Sequence, residues 1–140
     1  MYKEVEIILA LHRDPVCDEL LYYFGHHGIQ SYVTENEKSI FELLRSKNIQ
    51  CIVMQMNLRG LDAIELTLRI RDLNFDVPIV VLNFADEFDS EFVKTVGIVT
   101  HFQYPFQIGD VVQAVFDELN RRRLSAKRSR LDKTRSLSEK

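Results

Sequence analysis

The sequence predicts an α/β domain built on a five-stranded parallel sheet. Short runs rich in Val and Ile alternate five times with stretches whose apolar residues recur at helical spacing, the pattern of successive βα units. Those runs lack the strict polar alternation of a half-solvated strand, so helices are expected on both faces of the sheet. With 140 residues, 46% of them apolar, the chain is long enough for one domain with a real core.

The elements follow in order. Val5–Leu11 (VEIILAL) reads as a first strand, buried on both faces. Pro15 suits the first turn of a helix that places Val16, Leu20, Leu21 and Phe24 together and ends at Gly25 or Gly28. Asp14 is its expected N-cap. Ile29–Val33 is a second strand. Thr34-Glu-Asn-Glu37 then has the spacing of a capping box, with Asn36 as the rival cap, ahead of a helix bearing Ile40, Phe41, Leu43 and Leu44. Cys51–Met56 is a third strand and Asn57–Leu61 a loop around Gly60. Asp62–Leu73 is a helix carrying Ile64, Leu66, Leu68 and Ile70, with Asp62 as its cap. Pro78–Leu82 is a fourth strand, its proline at the first residue, where a missing N–H is tolerated. Phe88, Phe92, Val93 and Val96 mark a fourth helix closed by Gly97. A fifth strand (Ile98–Phe102), a Tyr104-Pro105-Phe106 turn and a fifth helix with Val111, Val112, Val115, Phe116 and Leu119 complete the pattern.

The net charge of −3 conceals an asymmetry. Residues 121–140 hold nine Lys or Arg against Asp132 and Glu139, a net +7, which leaves the first 120 residues at −10. A boundary is placed near residue 124, giving a domain over 1–123 and a basic tail over 124–140. Three readings of the tail stay open: a solubilising linker; a continuation of the last helix, with Leu124 and Leu131 in a dimer seam; or an electrostatic arm touching nucleic acid or an acidic protein surface. No aromatic residue follows Phe116 and no helix-turn-helix pattern is present, so sequence-specific DNA reading is not expected. No apolar run approaches the roughly 20 residues of a membrane span, and the N-terminus makes a poor signal peptide, so no membrane partner and a cytoplasmic location are expected. Cys17 and Cys51 lack ligand spacing and read as small buried hydrophobes; His26 and His27 suit a helix C-terminus better than a metal.

Four segments, in order and at matching spacing, resemble the CheY-like receiver domain of bacterial response regulators over residues 4–123. IILALHRDP stands where that family has a strand running into an acidic pair. CIVMQMNLRGLDAIEL matches the strand and loop of the phosphorylated aspartate. PIVVLNF matches the fourth strand, and VGIVTHFQYPF the segment ending in Lys-Pro-Phe. The resemblance implies a flavodoxin-like, doubly wound (βα)5 fold with strand order 2-1-3-4-5. Carried over position by position, its chemistry is missing. The Mg²⁺-holding acidic pair falls on His12 and Arg13, the phosphoacceptor on Gln55, the hydroxyl residue on Asn83 and the lysine on Tyr104, while Pro105 and Phe106 remain. Arg59 replaces the loop proline, and Ala63 the glycine after Asp62.

Mg²⁺ takes oxygen ligands, usually one or two carboxylates plus waters, and an arginine beside it repels it. An amide at position 55 cannot form an acyl phosphate. Neither Asp14 nor Asp62 repairs this, since each is placed as a helix cap. No metal, cofactor or enzymatic activity is therefore expected. The leading expectation is a degenerate pseudo-receiver: a regulatory module acting by phosphorylation-independent protein–protein contact, self-association into a homodimer included, in bacterial signal transduction or transcription control. Two alternatives stay open: a small-ligand or anion sensor, and the N-terminal regulatory domain of a longer transcription regulator. His12, Arg13, Gln55, Asn83 and Tyr104 are expected to converge at the C-terminal edge of the sheet, either bonding one another or holding a polar ligand through Arg13, Gln55 and Asn83. The resemblance makes the face of the fourth helix, fifth strand and fifth helix the expected partner and dimer surface. Phe88, Phe92, His101, Phe106 and Val111 lie in or near it, although most of these aromatics must also serve the core. His101, at the family's switch-aromatic position, reads either as a pH-responsive group or as a partly exposed strand residue.

Overall fold

The computed structural model describes residues 4–85 and 97–138. Five strands form one parallel sheet: β1 (Glu6–Ala10), β2 (Gln30–Val33), β3 (Ile49–Gln55), β4 (Ile79–Asn83) and β5 (Thr100–Gln103). Their order across the sheet is β2-β1-β3-β4-β5, the order that the resemblance implies. The helices are α1 (Pro15–His26), α2 (Glu37–Ser46), α3 (Ala63–Asp72) and the C-terminal α4 (Ile108–Ser138). The helix expected at Phe88, Phe92, Val93 and Val96 lies outside the described residues.

Because successive strand residues point to opposite faces, the apolar strands supply two cores. Ile8, Ala10, Ile52, Met54, Ile79 and Val81 face one layer with Ile40, Leu44, Leu66 and Ile70 of α2 and α3. Ile7, Leu9, Cys51, Val53, Val80 and Leu82 face the other, with Cys17, Leu20 and Phe24 of α1 and Val111, Val115 and Leu119 of α4. Both cysteines are buried and unpaired. Burial pushes the Cys51 thiol up to about 12 and raises that of Cys17.

The expected caps sit in place. Asp14 accepts from the Cys17 N–H at 2.9 Å, and Asp62 from the N–H groups of Ile64 and Glu65 at 2.7 and 3.1 Å. Asn36, not Thr34, caps α2, accepting from Ser39 N. Asn57–Leu61, expected as a loop, forms with Asp62 a small antiparallel hairpin, Asn57 paired to Asp62 and Leu58 to Leu61. Arg59 (φ 51°) and Gly60 (φ 81°) make its two-residue turn, both in the left-handed region that such a turn requires. Arg71 ties the far end of the sheet by donating to the carbonyls of Phe75, Val77 and Gly97.

Helix α4 runs unbroken past position 124, where composition changes, and continues to Ser138. The basic segment is thus helical as far as residue 138. Among the described side chains Leu119 is the last buried one along it, and Leu124 is exposed. One surface candidate needs correcting: Val111 is fully buried. It shares the apolar stripe of Val112, Val115 and Leu119, and that stripe is consumed by the sheet.

Candidate functional site

Parallel strands deliver their loops to one edge, and the C-terminal edge of this sheet gathers the loops after β1, β2, β3, β4 and β5. The five polar positions expected to converge there divide into four separate groups.

The first group centres on Gln55, the last residue of β3. Its Oε1 accepts from the backbone N–H of His12 at 3.0 Å, and its Nε2 donates to the carbonyl of Asn57 at 3.2 Å. Both ends of the amide are thereby used, one on the loop after β1 and one on the hairpin after β3. The His12 ring donates from Nδ1 to Glu35 Oε1 at 2.7 Å. Arg59 Nε approaches the same carboxylate oxygen at 3.4 Å. Glu35 therefore joins three loops, those carrying His12, Glu35 itself and Arg59. The hydrogen bond from His12 holds its carboxyl below the usual carboxylate range; partial burial opposes this and the charge of Arg59 assists it.

Arg13 does not join this group. Its Nε donates to Asp18 Oδ1 on α1 at 2.9 Å, an exposed pair. Its guanidinium is thus directed along α1, to a residue in the first turn of that helix.

Asn83, at the end of β4, lies opposite Gln103 in the β4–β5 register. Its Nδ2 donates to Gln103 Oε1 at 3.0 Å, and its Oδ1 accepts from Ala85 N at 3.0 Å. Gln103 Nε2 in turn donates to the Ala85 carbonyl, closing a ring that holds the start of the loop after β4 against β5. Tyr104 turns outward. Joined to Pro105 by a cis peptide, it packs on Phe84 (ring centroids 5.6 Å apart) and Phe106 (5.9 Å), and Phe84 and Phe106 also meet at 5.7 Å. Tyr104 is 55% exposed and Phe84 38%, so the trio leaves an aromatic patch on the surface. Phe106 is half-buried and also touches Phe102. His101 is half-buried on β5, and Phe88 and Phe92 lie outside the described residues.

The donor set around Gln55 does not fit Mg²⁺. It comprises an amide already hydrogen-bonded at both ends, an imidazole and a single carboxylate held by His12 and Arg59, where a divalent cation needs oxygen ligands it can claim. Among the described residues no group of three or more His, Cys, Asp or Glu is placed to hold a metal ion. Two participants escaped the sequence reading, Glu35 and Gln103. Glu35 stands two residues beyond the end of β2, a position that topology puts at this same rim but that the capping-box pattern of Thr34–Glu37 covers in the sequence. Phe84 was likewise passed over, as part of a strand terminus.

Strand order and the two helical layers define a doubly wound, flavodoxin-like α/β fold. The chain is 24% identical over 93 residues to sporulation initiation phosphotransferase F of Bacillus subtilis (strain 168), spanning 66% of this chain and 75% of that protein. Among solved structures it is similar to the receiver domain of the Francisella response regulator 1452, with a TM-score of 0.73 and 23% identity over 84% of this chain and 98% of that one. It is also similar to the receiver domain of the response regulator Ssk1, solved with the Saccharomyces cerevisiae histidine phosphotransfer protein Ypd1. There the TM-score is 0.69 at 16% identity, over 82% of this chain and 88% of that one. No model of a known protein family matches the chain. Among the described residues no helix is long and apolar enough to cross a membrane.

Proposed function

We propose that this chain is a receiver-like regulatory module that works by protein contact without being phosphorylated. The observation that supports this is the state of Gln55. At the position where the receiver pattern has its phosphoacceptor, both ends of a neutral amide are bonded to neighbouring loops. An amide has no carboxylate oxygen to attack a phosphoryl group, and these bonds keep the rim closed by the protein's own groups. The module is a binding protein, not an enzyme, and its output is a surface.

The contact surface proposed here is the aromatic patch at the ends of β4 and β5, where Phe84 and Tyr104 are exposed and half-buried Phe106 packs on both. The Ssk1 receiver domain, of the same fold, is found in complex with a separate signalling protein, which supports a protein partner for such a module. The decisive experiment incubates the chain with Mg²⁺ and a small phosphodonor, then records intact mass and light scattering. Neither the mass nor the oligomeric state is expected to change. An acid-labile gain of about 80 Da, or a phosphodonor-dependent change of oligomeric state, overturns the reading.

A further inference from the structure

The end of α4 has no role in the module just described. Among the described side chains Leu119 is the last buried one of the helix, yet the backbone stays helical through Ser138. Residues 120–138 thus form an arm about 28 Å long, at 1.5 Å per residue. Between Glu118 and Asp132 the sequence contains no acid and six Lys or Arg: Arg121, Arg122, Arg123, Lys127, Arg128 and Arg130. Arg123, Lys127 and Arg130 stand four and three residues apart, a spacing at which like charges on a helix repel. Arg121 pairs within the helix with Glu118, three residues back, and Arg122 approaches Asp76, between α3 and β4, at 3.8 Å. The helical segment that follows carries a net positive charge.

Such a helix is stabilised by a regular line of negative charge. Two candidates carry one: duplex DNA, and the acidic domain of a second copy. The paired acids of the described domain lie on separate elements, Asp18 on α1, Glu35 on the rim, Glu37 on α2, Asp76 between α3 and β4 and Glu118 on α4, and each is already engaged by an Arg or His of its own chain. Duplex DNA presents one negative charge per roughly 1.7 Å of axis, and its major groove, about 12 Å wide, admits an α-helix.

We propose that residues 120–138 form a sequence-independent binding element for the phosphate backbone of duplex DNA, a function separate from the protein-contact reading above. The net −10 of residues 1–120 confines the contact to the arm, because the domain itself repels a polyanion.

The test measures fluorescence anisotropy of two unrelated 20-base-pair duplexes with the full chain across a salt series. If about five phosphates are neutralised, log K falls against log salt with a slope of about −4.5, so affinity drops roughly 500-fold between 50 and 200 mM salt. The two sequences are expected to bind alike. The full-length triple variant Lys127→Gln, Arg128→Gln, Arg130→Gln is expected to flatten the slope to about −2 while the domain melts as in the wild type, since all three follow Leu119, where the apolar stripe on the sheet ends among the described side chains. No binding at 50 mM salt, or a triple variant that binds like the wild type, overturns the proposal. So does salt-sensitive self-association that the triple variant abolishes without any DNA binding; that result assigns the arm to a second copy.

Discussion

Replacing Gln55 with aspartate puts back the residue type that the receiver pattern has at this position, and the chemistry is not expected to return with it. The Gln55 amide spans two loops, accepting from His12 N at 3.0 Å and donating to the Asn57 carbonyl at 3.2 Å. Aspartate is one methylene shorter and, ionised, donates nothing, so the Asn57 contact is lost and the His12 contact stretches. Each ordinary hydrogen bond contributes about 0.5–1.5 kcal/mol, which puts the loss at about 1–2 kcal/mol for this half-buried residue. In a domain of this size that corresponds to a fall in Tm of about 3–6 °C. The new carboxylate meets no acidic pair, since those positions are His12 and Arg13, and the nearby Glu35 is bonded to His12 and Arg59. Thermal unfolding with and without millimolar Mg²⁺, followed by intact mass after phosphodonor treatment, reads both effects. A Tm that is unchanged or higher refutes the hydrogen-bond reasoning. A Mg²⁺-dependent rise of several degrees, or a phosphoryl adduct on the variant, refutes the reading of the pocket.

Three further outcomes are expected. Asp62→Ala removes the acceptor for two N–H groups at the start of α3 and should cost about 1 kcal/mol, roughly 3 °C in Tm, with Asp62→Asn retaining most of it; an unchanged melt for Asp62→Ala contradicts the cap. Because Glu35 is held below its ordinary value in the folded chain, its contribution is fully present above the unfolded carboxylate pKa and is lost as pH falls through the lowered folded value. Denaturant unfolding at a series of pH values should therefore show a steeper acid loss for the wild type than for Glu35→Gln, and identical slopes remove Glu35 from the rim network. Cys51, with its thiol pushed up to about 12, and the likewise buried Cys17 should resist a disulfide-exchange reagent in the native state and react once the chain is denatured. Rapid native labelling of either contradicts the packing of the α1–α4 side.

The local grammar of the fold was legible because each signal acts within a few residues. Asp14 before Pro15 and Asp62 before Ala63 cap their own helices, and β-branched runs of five to seven residues became the strands. Strand order rested on the resemblance, since periodicity alone does not say which strands are neighbours. The hairpin at 57–62 was hidden because Arg59 takes a left-handed conformation more often filled by glycine or asparagine. The rim was less legible for a different reason. His12 and Glu35 are 23 residues apart, and their contact depends on how two loops run, not on any spacing in the chain. Arg13 shows the reverse: a local partner, Asp18, outcompeted the distant pocket. Val111 shows that one apolar stripe cannot serve both the sheet and a partner, and here the sheet takes it.

The central claim is that the rim around Gln55 is closed by the protein's own hydrogen bonds and has no place for the divalent cation on which receiver phosphorylation depends. Amide NMR of the chain during a Mg²⁺ titration tests it most directly. The resonances of His12, Arg13, Gln55 and Asn57 are predicted to stay in place, apart from small, unsaturable drifts shared with the rest of the acidic surface. Saturable shifts centred on those residues at millimolar Mg²⁺ would contradict it.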